Sequence, residues 1–72
     1  MEYLVVFEKS EDGSIWATVP DLEGCYSVGD TMDEAREHVK EAIELYLEDL
    51  KADGKPIPTP SHLKAEMIEV AA

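Results

Sequence analysis

Three sets of residues in this chain have side chains that could do chemistry. Cys25 is the only cysteine, and His38 and His62 are the only imidazoles, so a thiol enzyme would need Cys25 as nucleophile and one of these histidines as base. The spacing argues against it. Neither histidine stands in a local arrangement with Cys25, and a lone cysteine in a short apolar run reads as a small buried hydrophobe. The second set is the acidic group Asp21, Asp30, Asp33 and Glu34, whose hard oxygens would suit Mg²⁺. Turn and cap duties account for these residues more simply. Aspartate bonds its own backbone in turns, and carboxylates in a first helical turn favour the positive end of the helix dipole. One cysteine and two scattered histidines also lack the spacing of a structural zinc site and cannot form an internal disulfide. The expectation is no catalytic residue, no metal and no cofactor. The third set, Tyr3, Phe7, Trp16 and Tyr26, offers contact chemistry: large apolar rings suited to a protein interface.

The elements that would position these residues follow from periodicity. Tyr3-Leu4-Val5-Val6-Phe7 is a β-branched and aromatic run, followed by the polar cluster Lys9-Ser10-Glu11-Asp12-Gly13 and a second run, Ile15-Trp16-Ala17-Thr18-Val19. This pattern predicts two strands joined by a hairpin. Pro20 ends the second strand because it has no N–H for the ladder, and Asp21-Leu22-Glu23-Gly24 forms a turn before a short third strand, Cys25 to Val28. After Gly29 and Asp30, Thr31 stands three residues before Glu34. In this capping box the hydroxyl accepts a free first-turn amide and the carboxylate reaches back to the cap amide. Ala35, Val39, Ala42, Ile43, Tyr46, Leu47 and Leu50 then recur on one helical face, with His38 solvated beside it. Gly54 sits at the C-cap, and the Pro56, Pro58 and Pro60 segment leads to Ala65–Val70, expected to return as a fourth strand at a sheet edge. The fold class is α+β, in the order β-β-β-α-β, as a single domain over residues 1–72.

One helix is about 10 Å wide and strands lie about 4.8 Å apart, so a single helix covers one face of such a sheet. Yet both faces carry apolar groups. Tyr3, Val5 and Phe7 alternate with Leu4 and Val6, and Ile15, Ala17 and Val19 with Trp16. A core this small gives only a few kcal/mol of net stability, so a homo-oligomer, a dimer in its simplest form or something higher, is expected to bury the second face. Seventeen Asp and Glu against six Lys and Arg give a net charge of −11, which repels phosphate backbones and anionic lipids and would steer a basic protein toward the chain. Direct nucleic-acid binding and membrane contact are therefore not expected. With no apolar run of membrane-spanning length and no signal-peptide pattern, the expected location is the cytoplasm.

Pro20-Asp21-Leu22-x-Gly24-Cys25, then Gly29-Asp30-Thr31-x-x-Glu34-Ala35, then Ile57-Pro58-x-Pro60, resemble the HicB-like antitoxin family across almost the whole chain. These motifs are fold punctuation and not an active site: Gly24 and Gly29 allow tight turns, Pro20 stops a strand, and Thr31 with Glu34 starts the helix. The resemblance implies a partial ribonuclease-H-like domain without the nuclease's catalytic carboxylates. It implies an antitoxin that neutralises a HicA-like toxin, a small basic mRNA-cleaving ribonuclease, by binding it. Full-length antitoxins of this family usually add a DNA-binding domain. None follows here, so the expected form is the stand-alone toxin-binding domain. The alternative is a solitary self-associating interaction or regulatory module with no cognate toxin.

Overall fold

The computed structural model describes residues 1–72. Three antiparallel strands, β1 (Val6–Lys9), β2 (Ile15–Thr18) and β3 (Tyr26–Gly29), precede one helix, α1 (Met32–Ala52). The sheet order is β1-β2-β3, so β1 and β3 are its edges. The first hairpin turns on Asp12, whose Oδ1 accepts the Ser14 amide at 2.9 Å, and on Gly13 at φ 90°. The second connection is longer and is closed by the Val19 amide, which donates to the Cys25 carbonyl at 3.1 Å, and the loop between them turns Leu22 into the core.

The helix begins as its sequence predicts, with one shift of partner. Thr31 Oγ1 accepts the Glu34 amide at 3.1 Å, but Glu34 Oε1 reaches the amide of Asp30, one residue before the cap, at 3.2 Å. At the far end the Gly54 amide donates to Lys51 and the Lys55 amide to Leu50, a Schellman closure that uses Gly54 at φ 69°. Buried Ala35 and Val39 face the sheet, where Ala17, Val19, Leu22 and Cys25 complete a small core. Leu22 and Val19 are the largest side chains fully enclosed. No helix is long and apolar enough to cross a membrane.

Two expectations are corrected. First, Ala65–Val70 is not a fourth strand within this chain: the sheet has three strands, and residues from Lys55 onward form no regular element. The proline segment is held instead by hydrogen bonds from Tyr3 Oη to the Pro58 carbonyl and from the Ser61 amide to Asp21 Oδ2 at 2.9 Å, and the residues from Ser61 onward are exposed. Second, α1 does not cover the whole of one sheet face. It lies over β3 and β2, leaving the inner side of β1 open along the helix.

His38, expected to be solvated, is half-buried, with Nδ1 2.7 Å from the Val28 carbonyl oxygen; as a donor it ties α1 to β3. That bond, helped by the charges of Glu34, Glu41 and Glu37 and opposed by desolvation, raises its pKa above the ordinary histidine value. A group whose pKa rises on folding contributes its full stabilisation below the unfolded value, about 6.5, and loses it as pH rises through the folded value. Urea midpoints are therefore expected to fall as pH rises above the ordinary histidine value of about 6.5, more steeply in the natural protein than in His38→Gln. Identical pH profiles for the two proteins would rule His38 out as the source.

Candidate functional site

The face of the sheet turned away from α1 is built by strand register. Val6 pairs with Thr18 and Thr18 with Tyr26, while Glu8 pairs with Trp16 and Trp16 with Val28, so these six side chains share one face. Val6, Trp16, Tyr26 and Val28 are 37%, 41%, 57% and 40% exposed. No helix or loop of this chain packs over them. Trp16 and Tyr26 stack with ring centroids 5.5 Å apart and planes 18° apart. The stack spends conformational freedom in advance, giving a rigid aromatic platform of the kind that anchors protein interfaces. Glu8, beside Trp16 on β1, adds an acceptor at the rim.

The four residues expected to form one interface are thus divided. Trp16 and Tyr26 lie on the open face, as expected. Tyr3 and Phe7 lie on the opposite side, packed against the core, for the same reason that Ala17 does: Phe7 pairs with Ala17, and strand alternation puts both toward the helix. Tyr3 donates its hydroxyl to Pro58, and the Arg36 guanidinium lies 5.9 Å from the Phe7 ring centroid. Both aromatic rings line the groove left between β1 and α1. The members of the open face that sequence reasoning did not name as site residues are Val6, Val28, Thr18 and Glu8. Their signal was available in the two-residue alternation once the hairpin registers were set.

Of the groups that suggest catalysis or metal binding, Cys25 is enclosed and Asp21, Asp33 and Glu34 have structural partners. The Cys25 thiol is buried and desolvation raises its pKa, which disfavours the nucleophilic thiolate. Asp21 accepts from the Ser61 hydroxyl and amide and faces His62 Nδ1 at 3.0 Å. The Ser61 hydroxyl, then His62 and the Ser61 amide, hold its carboxyl well below the usual carboxylate range. Asp33 pairs with Arg36 at 2.9 Å, and Glu34 caps the helix. Pro20, Asp21, Gly24, Asp30 and Thr31 lie in the connections between elements, while Gly29 is the last residue of β3 and Glu34 sits in the first turn of α1.

Residues 3–71 match the family described as HicB_like antitoxin of bacterial toxin-antitoxin system. The UPF0150 protein ssr1765 of Synechocystis is 50% identical over 78% of this chain and 71% of its own length. The UPF0150 protein Ta0767 of Thermoplasma acidophilum is 43% identical over 100% of both chains. The crystal structure of the N-terminal domain of Burkholderia pseudomallei antitoxin HicB aligns with a TM-score of 0.79 at 33% identity, covering 86% of this chain and 74% of that one. The family match spans residues 3–71 and the structural match most of the chain, and on that footing the chain belongs to the HicB-like antitoxin family of bacterial toxin–antitoxin systems.

Proposed function

We propose that this chain is an antitoxin that neutralises a basic, HicA-like mRNA-cleaving toxin by direct protein contact, with the open sheet face as the contact surface. The observation that carries this reading is the uncovered Trp16–Tyr26 stack, flanked by Val6 and Val28, in a chain of net charge −11. The apolar centre supplies area to bury and the acidic surroundings attract a cationic partner, raising the encounter rate. Inhibition then follows from occlusion and asks no chemistry of this chain. Family membership supports the toxin as the partner.

The same face could serve self-association, and ionic strength separates the two uses. Contact with a basic toxin weakens as salt screens the attraction, whereas contact between two chains of like charge strengthens. In a co-purification with a HicA-like toxin we expect a stable complex at low salt, recovery of messenger RNA from cleavage, and weaker binding as salt is added. Two folded proteins that show no association at low salt would sink the reading.

A further inference from the structure

We propose that residues Ala65–Val70 of one chain add to the β1 edge of a second copy and fill its β1–α1 groove, the two copies exchanging these segments reciprocally. The proposal concerns a surface opposite the Trp16 face and does not depend on a toxin. β1 pairs only with β2, so its outer edge is free to accept another strand. Because α1 lies over β2 and β3, the inner side of β1 opens into a groove of about 570 Å³, lined by Tyr3, Val5, Phe7, Ile43 and Leu47.

The same chain carries a segment suited to that groove. Leu63, Met67, Ile68 and Val70 are 102%, 99%, 72% and 76% exposed, a run of apolar side chains that this chain does not cover. The segment starts in a fixed place. Tyr3 bonded to Pro58, and Asp21 bonded to Ser61, hold the chain beside the start of β1. From there the residues that follow lie outside the chain's own groove, in a molecule 48 Å long and 17 Å thick.

Side-chain alternation and charge choose the occupant. In an extended strand Glu66, Ile68 and Val70 share one side and Met67 takes the other. Ile68 and Val70 would enter the groove, and Glu66 would meet Arg36 and Lys40, two of the six basic residues of the chain, both in the groove lining. Donor and acceptor are therefore complementary in shape and sign although the two chains repel overall. Because each copy holds both halves, a two-fold arrangement makes the junction twice and closes without leaving an open end.

Sedimentation velocity over a concentration series tests this with the natural chain, a chain ending at His62, and Ile68→Lys/Val70→Lys. We expect a dimer for the first and monomers for the other two, the double variant raising the dimer dissociation constant by about 100-fold or more. Both substituted positions are exposed, so circular dichroism should show the same helix content in the double variant and keep the test valid if the shortened chain fails to fold. A natural chain that is monomeric at every concentration overturns the proposal. So does a dimer that survives in the double variant. Toxin binding, measured separately, can fail or succeed without altering either result.

Discussion

Replacing Gly29 by alanine is expected to cost about 3 kcal/mol of stability and to lower the melting temperature by roughly 10–25 °C. A Cβ at Gly29 would lie 2.5 Å from the Ala35 amide nitrogen and 2.9 Å from both the Ala35 Cα and the Glu34 carbonyl carbon. These are backbone atoms of the first helical turn and cannot swing aside as the end of a long side chain would. The helix must therefore lift from β3. Lifting it loosens Ala35 and Val39, the two buried residues through which α1 joins the core. A small domain has only a few kcal/mol in hand, so this one methyl group removes much of it. Gly13→Ala is the control: that site has φ 90° but nothing within 4 Å of an added Cβ, leaving a backbone cost of roughly 1–2 kcal/mol. Thermal melts followed by circular dichroism rank the two. A Gly29→Ala protein that melts with the natural one would show that the helix and β3 do not depend on this approach.

The same contact explains what could and could not be read from sequence. Local signals carried the hairpin, the Thr31 cap, the Gly54 stop and the assignment of Tyr3, Val5 and Phe7 to one side of the first strand, because each depends on neighbours in the chain. The lateral position of α1 does not. It is set by how closely Ala35 can approach Gly29, and it decides that β1 is left uncovered. His38 lies off the apolar stripe and so read as solvated, yet the end of β3 brings the Val28 carbonyl to its ring. Asp21 and Ser61 are forty residues apart, and nothing in either local pattern announces their bond. Ala65–Val70 mixes apolar and acidic residues as an edge strand can, but that composition says only that a segment can pair and not with what. Tyr3, Phe7, Trp16 and Tyr26 look alike as large rings, but strand parity puts the first two toward the core and the other two on the open face.

That division makes the toxin-binding reading testable residue by residue. Trp16→Ala is expected to weaken toxin binding by about 30-fold or more, the effect of losing a central aromatic anchor worth about 2 kcal/mol, with little change in melting temperature. Trp16 is 41% exposed on the face away from the core, so its removal leaves no cavity beneath the helix. Tyr26→Ala should act in the same way. The two losses should not add, because each ring holds the other at 5.5 Å; a double-mutant cycle should show a coupling of about 0.5–1.5 kcal/mol. Phe7→Ala should do the reverse. Its ring packs against Ala17 and its neighbours in the core, so truncation lowers the melting temperature and leaves the binding face in place. Calorimetric titration of the toxin, paired with thermal melts of each variant, reads both quantities. Binding that survives loss of Trp16 and Tyr26 but fails in a folded Phe7→Ala protein would move the contact surface to the β1–α1 groove.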